Sequence, residues 1–268
     1  LMGRLEKEGI DGLAIDLRGN GGGSLEEVRR ITGFFVGDGP VVQIKMTNGH
    51  IEALESPFRK PLYDGPIVVL TDKGSASASE ILAGALQDYN RAVVIGESST
   101  YGKGTVQQPL EIGRYMPIFA DHDRAGAVKL TIQKFYRING DATQLKGVTS
   151  DVLLPDNYMY IQTGEKENEY PMEWDQIPSS EYDAKRYAIN GKVIKKSLAR
   201  VKKNETFNLI EENARRWEKE REDKTYPLNL KSYTQQEEQD KKEGEKFEVL
   251  SKLELPSFTV ENIPSDLT

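Results

Sequence analysis

Residues 66–108 read PIVVLTDKGSASASEILAGALQDYNRAVVIGESSTYGKGTVQQ, and the rest of the chain is organised around them. Ile67, Val68, Val69 and Leu70 form a short apolar, β-branched run, the signature of a buried strand. A turn through Asp72, Lys73 and Gly74 leads into a Ser/Ala-rich helix start with apolar residues at Ile81, Leu82, Ala85 and Leu86. A second buried strand, Ala92 to Ile95, precedes a glycine-punctuated loop that presents Lys103. Strand, serine-bearing helix start, strand, lysine-bearing loop: this layout can bring a serine hydroxyl beside a lysine amine.

Upstream, Gly12 to Arg18 (GLAIDLR) predicts a short strand and Gly19 to Gly23 a glycine loop. Ser24 is placed to cap a helix from Leu25 to Phe35, with Glu26 and Glu27 suited to its positive end. Val41 to Met46 alternates as a strand, and Asn48-Gly49 is a hairpin signal. Before all of these, LMGRLEKEG reads as the remnant of a helix, as though an upstream half had been cut away. Downstream, Val128 to Ile138 alternates with period two into the turn Asn139-Gly140-Asp141, and Gly147 to Pro155 closes the region. Strands interleaved with helices predict an α/β or α+β core.

Past Asp156 the character changes. Asn157 to Pro178 is polar with scattered aromatics, a surface wrap more than a run of strands. Short helices are expected over 180–188 and 192–201, and a longer one over 206–222 with Phe207, Ile210, Ala214 and Trp217 on one face. A strand is expected over 226–234, a charged, solvated helix over 235–250, and an extended tail around Pro256 and Pro264.

Composition removes several function classes. A net charge of −7 gives no basic excess to neutralise phosphates, so nucleic acid is not an expected partner. No run reaches the roughly 20 apolar residues that a membrane-spanning helix needs. With no cysteine there is no disulfide, thiolate metal site or cysteine nucleophile. With only His50 and His122, a histidine-rich metal site or a Ser–His pair has few candidates.

The serine–lysine reading then rests on local chemistry. A serine becomes a nucleophile when a base removes its proton, and lysine does so only when neutral, which calls for a site away from water and free of carboxylates. Tyr101, Gly102, Gly104, Thr105 and Val106 surround Lys103 with no acid. Ser75, Ser77 and Ser79 stand at a helix start, where free N–H groups favour an alkoxide and an oxyanion. The plain alternative is three capping serines and a surface lysine.

Two nucleotide motifs fit poorly. GESSTYGKGT departs from a phosphate-binding G-x-x-x-x-G-K-[ST] loop in its spacing and in Gly104 after the lysine. GNGGGS places Ser24 where a dinucleotide fingerprint needs its third glycine. An S-x-x-K pattern fails because Glu80 lies three residues after Ser77.

Taken in order, AIDLRGNGGG, GPIVVLTDKGSASASEILAGALQDYNRAVVIGE, YGKGTVQ and GVTSDVLLP resemble the C-terminal processing (tail-specific) proteases, the S41 serine peptidases, over about residues 10–156. The stretch GEKENEYPMEWDQI (164–177) and the charged helices beyond it resemble, more loosely, the C-terminal domain of the Prc/Tsp branch. The resemblance implies a crotonase-like α/β protease core over 1–156 and a mostly helical domain over 157–268. It implies Ser77 as nucleophile, Lys103 as general base and Gln107 as the residue that orients the lysine. Backbone N–H groups of Gly23 and Ala78 would form the oxyanion hole. No metal or organic cofactor is implied. The implied substrates are proteins with apolar C-terminal tails, met in the periplasm, with a lipoprotein adaptor as a further partner.

Two departures from the family pattern accompany this. The loop GESSTYGKG is one residue longer than usual, and the family's PDZ domain and the front half of its core would lie upstream of this chain. The competing expectation is therefore a catalytically idle fragment that acts as an interaction module, with a nucleotide-binding enzyme a distant third.

Overall fold

The structure, a computed structural model, describes residues 9–115 and 126–253. The expected N-terminal helix remnant and the extended tail around Pro256 and Pro264 lie outside the described residues.

Two four-stranded sheets carry the core. The first is parallel throughout, in the order β1 (Leu13–Asp16), β4 (Ile67–Thr71), β5 (Val93–Gly96), β8 (Val152–Leu153). The second is antiparallel, in the order β3 (Ile51–Glu55), β2 (Pro40–Met46), β7 (Ala127–Tyr136), β6 (Thr105–Glu111). Parallel pairing requires crossovers. Helix α1 (Leu25–Val36) and the hairpin β2–β3 lie between β1 and β4, and helix α2 (Ala78–Asp88) lies between β4 and β5. Every residue of α2 from Ala78 to Leu86 is buried, which explains the Ala/Gly-rich composition: small side chains let it sit close against its neighbours. Val36, Val69, Leu86, Val94 and Tyr89 form the centre of the core, and Arg91 is buried with them. Its guanidinium is satisfied by the carbonyls of Phe35, Tyr63 and Gly65.

The sequence expectations for β1, α1, β2, the Asn48-Gly49 hairpin, β4, α2, β5 and β7 agree with these elements to within two residues. Strand β6 was not expected. Its sequence TVQQPLE is polar and contains Pro109, a residue a sheet accepts on an edge strand, and β6 is an edge. It is followed by a single helical turn, α3 (Ile112–Tyr115).

Beyond β8 the chain wraps the core, as expected, with one short 3₁₀ turn at Glu165–Glu167. Helices α4 (Gly191–Lys203) and α5 (Glu205–Glu222) follow, the latter burying Ala214 and setting Trp217 against Tyr158. Two expectations need correction. Residues 180–188 are not helical, because Tyr182 stacks edge-on against Tyr89 while the Tyr187 hydroxyl reaches the Phe35 carbonyl, and the chain follows these anchors. Residues 226–234 are not a strand, because no neighbouring strand pairs with them. Asn229 instead caps helix α6 (Leu230–Glu245), its side chain accepting from Ser232 N–H. The charged helix expected over 235–250 thus starts earlier, and its end is a 3₁₀ turn over Glu248–Lys252. Helix α6 buries no residue, as a solvated charged helix should not.

Candidate active site

Ligand sites in parallel sheets form where loops leave the C-terminal ends of adjacent strands. Here three such loops converge: Leu17–Ser24 after β1, Asp72–Ser77 after β4 and Glu97–Gly104 after β5. Asp72 accepts from Gly19 N–H through both carboxylate oxygens, and the Asn20 carbonyl accepts from Ala76 N–H and from the Ser79 hydroxyl, each at 3.0 Å. Tyr101 N–H donates to the Ser75 carbonyl at 3.0 Å.

The three serines are not equivalent. Ser75 is buried, its hydroxyl donating to the Leu17 carbonyl at 2.7 Å and accepting from Asp72 N–H at 3.1 Å. Ser79 is buried with its hydroxyl on Asn20. Ser77 is half-buried, its hydroxyl stands at the helix N-cap facing the Glu80 N–H in a capping box and donates to no protein group among the described residues, and its backbone is held at φ 57°, ψ −114°. A non-glycine residue in that region costs about 1–3 kcal/mol and persists only where its surroundings impose it. The surroundings here are the Gly19–Gly23 loop on one side and Glu80 on the other.

Glu80 is the residue that sequence reading missed as part of the site. Its side chain is completely buried, and four donors converge on it. Oε1 accepts from the Thr100 hydroxyl at 2.6 Å and from Gly102 N–H at 2.8 Å. Oε2 accepts from Ser77 N–H at 2.8 Å and from Lys103 N–H at 2.9 Å. One oxygen atom therefore holds the backbones of Ser77 and Lys103 within two hydrogen-bond lengths of each other. Burial pushes the Glu80 carboxyl up to about 7, against the pull of its four donors. The only sequence signal was an acid inside an otherwise apolar helix start.

The Lys103 loop is held on its other side as well. The Lys103 carbonyl accepts from the Thr143 hydroxyl, the Gly102 carbonyl from Leu145 N–H, and the Gly104 carbonyl from Phe135 N–H. Gly104 N–H donates to Gln144 Oε1 at 2.9 Å. Every backbone donor and acceptor of Gly102, Lys103 and Gly104 is thus paired.

Gly23 and Ala78 flank Ser77, and among the described residues neither N–H donates to a protein group. A Cβ on neighbouring Gly22 would lie 2.7 Å from the Ala76 carbonyl oxygen and 2.9 Å from Ala78 N, so the glycine loop presses directly on the helix start. Gly23 and Ala78 both line a cleft of about 150 Å³ between α1 and α2, walled by Leu17, Val28, Ile31 and Leu82. Gln107 stands apart: it is exposed on β6, just past a register shift between Val106 and Gln107, and its side chain makes no hydrogen bond among the described residues. Among the described residues, no group of three or more His, Cys, Asp or Glu is arranged to hold a metal ion.

Two family models together match most of the chain. Residues 1–154 match peptidase family S41, and residues 158–266 match the C-terminal domain of tail specific protease. The chain is 39% identical over 236 residues to the tail-specific protease of Haemophilus influenzae, covering 86% of this chain and 34% of that protein. It is 40% identical over 175 residues to the carboxy-terminal processing protease CtpB of Bacillus subtilis, covering 64% of this chain and 33% of the relative. Among solved structures, the photosystem II D1 C-terminal processing protease is similar at 32% identity and a TM-score of 0.48, over 56% of this chain and 36% of that one. The chain spans about a third of the length of the curated relatives it matches. With the match running through both loops that Glu80 ties together, the chain belongs to peptidase family S41.

Proposed function

We propose that this chain carries the catalytic dyad of a serine endopeptidase that cuts proteins with apolar C-terminal tails. The observation that carries the reading is the single Glu80 oxygen shared by the Ser77 and Lys103 amides, beside the one hydroxyl of the three serines that donates to no protein group among the described residues. In this reading the Ser77 hydroxyl attacks the scissile carbonyl and its proton passes to Lys103 Nζ. The oxyanion so formed takes hydrogen bonds from Gly23 and Ala78 N–H. Lys103 returns the proton to the leaving amine as the C–N bond breaks. Water then adds to the Ser77 ester, giving one proton to Lys103, which returns it to the serine oxygen as the acid leaves. The apolar cleft beside the oxyanion donors receives the substrate side chain on the acyl side. Gln107 retains the role of orienting Lys103 only if substrate on β6 turns it inward.

The domains divide at 156/157, the first carrying the chemistry and the second bracing it. A periplasmic setting and a lipoprotein adaptor follow from the likeness to the tail-specific branch, and no helix among the described residues is long and apolar enough to cross a membrane. The test is cleavage of an unstructured protein ending in an apolar tail. Ser77→Ala and Lys103→Ala each abolish it and Ser75→Ala, if folded, retains it. Cleavage that survives Ser77→Ala overturns the dyad. A chain that neither cleaves nor reacts with a serine-directed fluorophosphonate, yet still captures protein, is the idle interaction module.

A further inference from the structure

Gln144 is completely buried and spans from the base loop to the wrap. Its Oε1 accepts from Gly104 N–H at 2.9 Å. Its Nε2 donates to the Met172 carbonyl at 3.1 Å and to Glu165 Oε1 at 3.3 Å. Both partners of Nε2 belong to the segment after residue 156, outside the protease core. The same segment grips the loop a second time: Glu165 N–H donates to the Tyr101 carbonyl at 3.0 Å, and a Cβ on Gly164 would lie 2.4 Å from that carbonyl oxygen. Tyr101 in turn donates its N–H to the Ser75 carbonyl, on the loop that bears Ser77.

From this geometry we infer that Gln144 is a positioning residue for Lys103, and that residues 164–172 of the second domain are part of the machinery that sets the general base. The inference rests on the dyad proposed above. A glutamine fits the place because its planar amide offers an acceptor toward Gly104 and two donors toward Met172 and Glu165. A glutamate there turns a carboxylate toward the Met172 carbonyl and the Glu165 carboxylate, and a leucine leaves Gly104 N–H without an acceptor.

Stability alone does not separate this from a structural staple, so a second glutamine serves as the comparison. Gln43 is also buried, and its Nε2 donates to the carbonyls of Arg137 and Pro178, tying the far end of the wrap to the sheet without touching residues 101–104. The experiment measures kcat, KM, fluorophosphonate labelling rate and Tm for Gln144→Leu, Gln144→Glu, Gln43→Leu and the double variant Gln144→Glu/Glu165→Gln. Both leucine variants lower Tm. Only Gln144→Leu and Gln144→Glu lose kcat, by about tenfold or more, and labelling slows in step while KM stays within about twofold. The double variant, which restores a donor–acceptor pair between the two side chains, recovers most of the lost kcat.

Equal kcat losses in Gln43→Leu and Gln144→Leu, or folded Gln144 variants with unchanged kcat, overturn the inference. So does a double variant no better than Gln144→Glu. Ser77→Ala, run alongside, tells a failed inference from a failed dyad: activity that survives it removes the dyad itself.

Discussion

Glu80 combines two demands that pull in opposite directions. Four converging donors and the N-terminus of α2 fit an ionised carboxylate, while complete burial favours the neutral acid, and the balance lies near pH 7. A proton on Oε2 takes an acceptor from Ser77 or Lys103, and one on Oε1 takes it from Gly102 or turns the Thr100 hydroxyl around. Activity is therefore expected to fall as pH drops through about 7, with kcat declining by up to about tenfold per unit in the limb governed by this group. In Glu80→Gln that limb disappears and the plateau is lower by about tenfold, because an amide faces donors with one acceptor oxygen in place of two. A pH profile of kcat for both proteins checks this, and an unchanged limb in Glu80→Gln shows that another group governs it.

Among the elements, the glycine loop after β1 and the N-terminus of α2 form a joint. Gly22 has φ 100°, and a side chain there meets the Ala76 oxygen, Ala78 N and the Ser77 Cβ, all within 3.0 Å. Gly22→Ala must push the loop away from α2 and with it Gly23 N–H from the proposed oxyanion position. The expected outcome is a loss of kcat of about 100-fold, comparable to removal of one oxyanion donor, with a folded circular dichroism spectrum. Gly21→Ala is the comparison, since a Cβ there meets nothing within 4 Å, and it is expected to keep most of the activity. Near-equal kcat in the two variants is the outcome that removes Gly23 from the chemistry.

For the whole molecule, the same burial that tunes the site governs stability. Glu80 and Glu97 are both pushed up to about 7 from an ordinary 4.5, Glu97 by burial and then by the nearby Asp156 carboxylate. Between those values the folded chain binds more protons than the unfolded one, so this contribution is complete below about 4.5 and is lost as pH rises through about 7. The carboxylates of Asp16, Glu26, Asp38 and Asp175 are held below their ordinary values by Arg or Lys partners and titrate outside this window. Thermal unfolding between pH 5 and 8 is expected to give a Tm that declines with rising pH, opposite in direction to the activity. Burial pushes the Asp88 carboxyl up as well, so Glu80→Gln and Glu97→Gln together reduce the slope, and a slope unchanged in the pair contradicts the assignment.

Sequence reading reached far where the determinants are local. The β-branched runs of β4 and β5, the apolar stripe of α2, the Ser24 cap and the Asn48-Gly49 turn each depend on a few adjacent residues, and each formed where expected. The candidate nucleophile and base were legible because SASAS and GKG sit at strand ends. Their relation was not, because it passes through Glu80, 23 residues before Lys103, and through Gln144, 40 residues after Gly104. The false helix at 180–188 and the false strand at 226–234 failed for the same cause, since anchoring by Tyr182 and Tyr187, and the lack of a pairing strand, are properties of the folded chain.

By itself, then, the sequence determined most elements of the core, though not edge strand β6, together with the family and candidate residues for its chemistry, because propensity, pattern and capping act over a few residues at a time. Which serine hydroxyl is left without an acceptor among the described residues, which buried acid draws Ser77 and Lys103 together, and the pairing of the Lys103 loop with residues 164–172 were decided only by tertiary structure. Those outcomes depend on buried polar groups finding partners far along the chain, and no local pattern encodes such a pairing.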